Sequence, residues 1–181
     1  MNNNSDLEKY NDELSEIYDE VTKQPKYGWN TPNKVFEYVR DYLVKHSKVL
    51  ELGVGTGQTI KPVSKITTNL VGVDISQEMI KKAKKKVPEA DFYNLDLSSN
   101  FVSEKDFDLV IASGVTEFVE NIGFLFKNVS NSLKEEGLFC FTFEIEQNNS
   151  DNKPLPSIKY GKNLSFKMFR RSENSIEKLL L

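Results

Sequence analysis

Leu7, Tyr10, Leu14, Ile17, Tyr18 and Val21 recur at steps of three and four, a spacing that predicts one amphipathic helix ending before Pro25. The loop Lys26-Tyr27-Gly28-Trp29-Asn30 follows, carrying two large aromatics. Thr31 as N-cap with Pro32 at the first helical position predicts a second helix to about His46, with Val35, Phe36, Val39, Tyr42 and Leu43 on its buried stripe. The period then changes. Val49 to Leu52 reads as a buried strand interrupted only by Glu51, and a short helix containing Pro62 comes after the glycines behind it. Leu70 to Asp74 predicts a second strand, and Ser76 caps a helix whose apolar positions are Met79, Ile80, Ala83 and Val87, closed by Pro88. Ala90 to Leu95 is a third strand ahead of Asp96, and Phe107 to Ala112 a fourth. Ile122, Phe126, Val129 and Leu133 mark one face of a further helix, Gly137 its closing turn, and Leu138 to Ile145 a fifth strand.

Strands alternating with helices imply right-handed crossovers, hence α/β architecture: a Rossmann-like, doubly wound, mostly parallel sheet with helices on both faces. Ligands of such sheets bind at the carboxyl ends of the strands. Gly53-Gly57, Asp74, Asp96 and Ala112-Gly114 all fall there. One domain is expected over 1–181, with an N-terminal helical cap (1–46), a ligand-binding core (47–146) and a loop with an incomplete C-terminal part (147–181). The last part holds many loop formers, a possible strand over Leu164 to Arg170 and a helix starting near Ser172.

In Glu51-Leu52-Gly53-Val54-Gly55-Thr56-Gly57 three glycines fall at every second position directly after a strand. That pattern makes a tight turn at which a ligand meets bare backbone. Composition narrows the choice little. The 181 residues carry a formal net charge of -3, so no global attraction to nucleic acid or anionic membrane is implied. The one cysteine, Cys140, excludes an intramolecular disulfide and a Cys-rich metal site. No apolar run approaches the roughly 18–20 residues that cross a bilayer, and the polar N-terminus lacks a signal-peptide pattern. A cytoplasmic protein is expected.

Glycine loop, acid after the second strand, acid after the third strand and then Phe107-Asp108-Leu109-Val110-Ile111-Ala112 together resemble the class I S-adenosylmethionine-dependent methyltransferases. Glu51 to Gly57 looks like their first motif and Val71-Gly72-Val73-Asp74-Ile75-Ser76-Gln77-Glu78-Met79 like their second, the likeness spanning about Tyr18 to Glu146. The resemblance implies S-adenosyl-L-methionine as cofactor, with Asp74 accepting both ribose hydroxyls, Asp96 receiving the adenine amino group beside Leu97, and Ile75 against the adenine ring. The backbone of Gly53, Val54, Gly55, Thr56 and Gly57 would approach the methionine moiety. Glu51 would order that turn, and Ala112 and Ser113 would offer carbonyls to the same moiety. A Tyr-Asp pair such as Tyr18-Asp19 often folds over the cofactor in that family, and Tyr27 or Trp29 would wall the sulfonium with an aromatic face. No metal is expected and no catalytic residue is assigned. A small-molecule acceptor is expected because the chain after the fourth strand reads Ala112-Ser113-Gly114-Val115, without the Asn/Asp-Pro-Pro-aromatic signature of amino-methylating nucleic-acid and glutamine enzymes, and because there is no basic stripe.

Simpler roles stand beside these. Asp74 can cap the next helix, Asp96 can open a turn with Ser98-Ser99, and Tyr27 and Trp29 can anchor the helices. Glu117 is expected as an exposed helix residue and His46 as a solvated helix end. Cys140 is expected in the core, and Lys81 to Lys86 as an ordinary solvated helix face. Two other functions are kept: an inactive cofactor-binding partner subunit, and a nicotinamide-dependent oxidoreductase. The latter's fingerprint needs a third glycine at position 58, which is Gln58. The resembled fold ends with a further pair of strands, so a C-terminally truncated fold lacking its last strands is expected. Its uncovered edge beside the fifth strand could support self-association.

Overall fold

The computed structural model describes residues 3–23, 29–99, 106–146, 153–154, 158–160 and 164–180. Five parallel strands form the central sheet: β1 (Val49–Leu52), β2 (Leu70–Asp74), β3 (Asp91–Asn94), β4 (Phe107–Ala112) and β5 (Leu133–Phe141), in spatial order β3-β2-β1-β4-β5. The order reverses between β1 and β4. At that switch point the loops leaving two adjacent strands diverge to opposite faces and open a crevice.

Strands buried on both faces need apolar residues at every position, and β1 is buried along its whole length. On one face Val49, Leu70, Leu109 and Ile111 pack with Val35 and Val39 of α3 (Thr31–Val39), Ile60 and Val63 of α4 (Ile60–Val63), and Ala83 of α5 (Gln77–Lys86). On the other, Leu50, Leu52, Val73 and Val110 meet Leu125, Phe126 and Val129 of α6 (Ile122–Ser132) and Ile176 of α7 (Glu173–Leu180). Cys140 is half-buried against the first face. Ser76 caps α5 as predicted, its Oγ accepting the Met79 N–H at 3.1 Å.

Several boundaries differ from the periodicity. The single N-terminal helix is two, α1 (Asn3–Ser15) and α2 (Tyr18–Thr22), broken at Glu16-Ile17 so that α2 can turn down onto the glycine loop. The second helix stops at Val39 and passes through a 3-10 turn at Arg40–Tyr42. Asn30 rather than Thr31 is its N-cap, and Tyr42 is 67% exposed rather than buried. The fifth strand starts at Leu133, not Leu138. Its register to β4 shifts between Phe107 and Leu109, and Glu136 takes a left-handed φ of 63°, so a bulge stands where Gly137 was expected to close a helix. Beyond Glu146 two short antiparallel ladders pair β6 (Lys153–Pro154) with β9 (Phe169–Arg170) and β7 (Ile158–Tyr160) with β8 (Leu164–Phe166). β3 and β5 are the edges of the parallel sheet among the described residues. No helix among them is long and apolar enough to cross a membrane.

Candidate functional site

A cavity of about 1260 Å³ opens at the carboxyl ends of β1, β2, β3 and β4, roofed by α1 and α2. This exceeds the roughly 300–1,000 Å³ of a typical small-ligand pocket, leaving room for two ligands side by side. Of the residues expected at a binding site, Gly53, Gly55, Asp74, Ile75, Asp96, Leu97 and Ser113 line it. Glu51, Val54, Thr56, Gly57 and Ala112 do not. Val54 and Ala112 point into the two halves of the core, Gly57 abuts Ala83, and Thr56 is buried with its hydroxyl bonded to Asp19 of α2. Tyr27 lies outside the described residues.

The glycine turn is built by left-handed backbone at Gly53 (φ 66°) and Gly55 (φ 53°). A Cβ on Gly53 would sit 2.4 Å from Val115, whereas one on Gly55 would meet nothing within 4 Å. The bare side of Gly55 is therefore a surface kept open for a ligand. Asp74 braces this turn: its Oδ2 accepts the Gly55 N–H at 2.8 Å and its Oδ1 the Ser76 N–H at 2.9 Å. Burial pushes its carboxyl up to about 6 in spite of those bonds. Asp96 does open the turn with Ser98, accepting its N–H at 2.8 Å, yet it also faces the cavity. Asn4 of α1 donates to its Oδ2 at 2.5 Å.

The Tyr18-Asp19 pair locks the roof to the loop. Asp19 accepts the Thr56 hydroxyl at 2.6 Å and the Gln58 amide at 3.0 Å, and pairs with Lys86 at 2.5 Å. Burial alone would raise the Asp19 carboxyl, but the bonds from Gln58, Lys86 and Thr56 outweigh it and hold the group down to about 2. Lys86 is thus no solvated face residue, because the last turn of α5 passes under α2. Nor is Lys82, which pairs with Glu16 at 3.2 Å. Tyr18 lines the cavity, and its phenol is pushed up to about 12 by burial and by Asp74 and Glu117. Trp29 also lines it, its ring so close to Gly114 that a Cβ there would be 2.7 Å away.

Glu117 overturns its expected exposure. The chain after β4 makes a 3-10 turn, Thr116–Phe118, rather than entering a helix, and buries Glu117 to 8% exposure on the cavity wall. Burial raises its carboxyl to about 7, Glu144 adding to the shift while its own N–H and Arg171 oppose it. Arg171, unnoticed in the sequence, is 1% exposed and fastens this turn. Its Nη1 donates to Thr116 O at 3.0 Å, and its Nη2 to Val119 O and to Glu120 O at 3.3 Å. No short-range pattern announces an arginine 55 residues away. The signal for Glu117 was available: it sits in the loop after a strand that flanks the switch point.

Glu51 is wholly buried beneath the loop, and burial, aided by Asp74, pushes its carboxyl up to about 8 against bonds from Thr59 and Ile60. Its Oε2, Ser113 Oγ and Trp29 Nε1 are buried atoms without a hydrogen-bond partner. Open space over Gly55 and two acids at adjacent strand ends fit a polar, nucleoside-bearing, positively charged group, and the unpartnered Ser113 and Trp29 atoms leave further polar contacts unfilled on the cavity wall.

Three carboxyls with raised values make stability fall with pH. Above the ordinary carboxylate range the unfolded chain has lost these protons, while Asp74, Glu117 and Glu51 keep theirs to about 6, 7 and 8. The folded state therefore binds more protons across that window, and stability present at low pH is lost as pH rises through it. Urea midpoints of the ligand-free chain are expected to fall steadily from pH 5 to 8.5. Glu51→Gln should flatten the upper part of that fall.

The model of a methyltransferase domain family matches residues 50–141. Curated relatives include the carboxy-S-adenosyl-L-methionine synthase of Nautilia profundicola, 27% identical over 87% of this chain and 72% of its own length. The ubiquinone biosynthesis O-methyltransferase of Pelagibacter ubique is 26% identical over 75% of this chain, which spans only 62% of that relative. Among solved structures, the DhpI–SAH complex superposes with a TM-score of 0.78 at 18% identity, over 98% of this chain and 85% of that one.

Proposed function

The chain belongs to the methyltransferase domain family, of the S-adenosylmethionine-dependent kind, and on that premise we propose that its cavity seats cofactor and a small-molecule methyl acceptor together. The observation that carries this reading is the cavity at the β1/β4 switch point, where Gly55, Asp74 and Asp96 share one wall. When bound, S-adenosylmethionine supplies an activated methyl group. Asp74, ionised above about pH 6, keeps free lone pairs beside its two backbone bonds and would take the ribose hydroxyls. Asp96 would take the adenine amino group and Leu97 and Ile75 the ring faces, in place of the bond Asp96 now receives from Asn4. The open side of Gly55 and the Ser113 carbonyl would meet the amino acid portion.

The chain's contribution is then largely positional. α1 and α2 exclude water from above, Asp19 and Lys86 keep that roof seated, and Arg171 fixes the wall that carries Glu117. Holding two reactants in register is worth up to about 7–11 kcal/mol, so positioning can carry much of the rate. The names of the two curated relatives, one for S-adenosylmethionine chemistry and one for a small-molecule biosynthesis, support a small acceptor. Calorimetry with S-adenosylmethionine, S-adenosylhomocysteine and NADH tests the reading. The first two are expected to bind one per chain and NADH not to bind; silence from the first two would sink it.

A further inference from the structure

Four acids face the cavity, Asp74, Asp96, Glu117 and Glu120, and among the described residues no lysine, arginine or histidine lines it. Arg171 does not line the cavity: its Nη atoms donate to backbone carbonyls behind that wall, and it acts on Glu117 through its charge alone. The cofactor reading engages Asp74 and Asp96. Glu117 and Glu120 are left on the side of the loop after β4. In the same loop Ser113, 9% exposed, lines the cavity, and its buried Oγ has no hydrogen-bond partner. Tyr18 and Trp29 bring two aromatic side chains to the same space, with Leu14, Ile17 and Phe118 as apolar lining.

A buried acid without a facing cation repels anionic ligands, and aromatic faces attract cationic ones. An alcohol would satisfy Ser113 but bring no positive charge to a wall of four acids, with Arg171 answering Glu117 only from behind that wall. Resting on the cofactor reading above, we propose that the methyl acceptor is a small amine, which docks between Glu117, Ser113, Tyr18 and Trp29 and gives a proton to Glu117. The Glu117 carboxylate takes one N–H proton from the ammonium and leaves a lone pair on nitrogen. That pair forms the new N–CH₃ bond while the S–CH₃ pair stays on sulfur. The positive charge thus passes to a methylammonium, and a neutral thioether is left.

The groups around Glu117 suit a proton acceptor. Burial and Glu144 raise it to about 7, Arg171 and its own N–H oppose them, and the Tyr18 phenol beside it stays protonated up to about 12. Against an aliphatic ammonium near roughly 10, such a carboxylate is a much better base than one near roughly 4.

The test is calorimetry on the whole chain saturated with S-adenosylhomocysteine, using matched triples: phenethylamine, 2-phenylethanol and phenylacetate, then butylamine, butanol and butyrate. At least one amine is expected to bind about tenfold or more above its alcohol, with no heat from the carboxylates. Glu117→Gln should lower that amine's affinity by about tenfold and abolish its pH dependence near 7, with S-adenosylhomocysteine affinity held within about threefold. Alcohol or carboxylate bound as well as the amine, no amine bound at all, or an unchanged amine affinity in the variant would each overturn the proposal. Should wild type fail to bind S-adenosylhomocysteine, the cofactor reading falls and this one with it. The wild-type preference within each triple decides the matter even if the variant folds poorly.

Discussion

Asp74→Asn is expected to weaken S-adenosylhomocysteine binding by about a hundredfold at pH 7.5, the loss of roughly 3 kcal/mol. The substitution is isosteric, so packing changes little, but one carboxylate oxygen becomes an NH₂ group. Both oxygens are already committed as acceptors, Oδ2 to the Gly55 N–H at 2.8 Å and Oδ1 to the Ser76 N–H at 2.9 Å. Whichever way the amide turns, a donor then faces a donor, and either the glycine turn or the first turn of α5 must move. The proposed ribose contacts lose their charged acceptor as well, and hydrogen bonds to a charged group are worth about 1.5–3 kcal/mol each. A second readout separates these effects. Wild-type affinity should fall below pH 6 as the raised Asp74 carboxyl takes up a proton, whereas the variant's affinity should be flat through that window. Binding within about threefold of wild type would show that Asp74 serves only the turn.

What the sequence made legible was what neighbours in sequence decide. β1, β2 and β4 were readable because a strand buried on both faces is a nearly unbroken apolar run, and Asp74 and Ser76 because strand end and helix cap lie two residues apart. The glycine loop was legible as a site, but not which of its residues would face it. Strand alternation stops at Leu52, and the positive φ values at Gly53, Gly55 and Gly57 then decide that Val54 and Thr56 turn away. Lys86 looked like one more solvent lysine, since nothing in α5 says that α2 will lie across its last turn. Glu117 was misread because the residues after β4 were given to a helix, and a 3-10 turn buries what a helix would have exposed. The fifth strand's start was misplaced for a related reason. Local propensity sees Gly137 as the left-handed residue, whereas the bulge puts Glu136 there.

Arg171→Met is expected to cost about 3–5 kcal/mol of stability. Removing a buried charge can be neutral or favourable when its partners go with it, as when a whole ion pair is replaced by apolar residues. Here they cannot go, because they are backbone carbonyls of Thr116, Val119 and Glu120. Methionine fills the space of the arginine stem, so the cavity cost is small. The orphaned acceptors, about 1–3 kcal/mol each when buried, decide the sign. With a urea slope of about 1–3 kcal/mol per molar, the midpoint should drop by roughly 1–5 M. Arg171→Lys should recover only part of the loss, since a single ammonium lacks the planar fork that reaches three oxygens at once. A functional readout goes with the thermodynamic one. Arg171 opposes the rise in the Glu117 carboxyl, so removing it should move the pH midpoint of ligand binding at Glu117 upward from about 7. A methionine variant as stable as wild type would mean that water replaces the guanidinium, and that the turn bearing Glu117 is held by Thr116 and Gly114 through Thr142 instead.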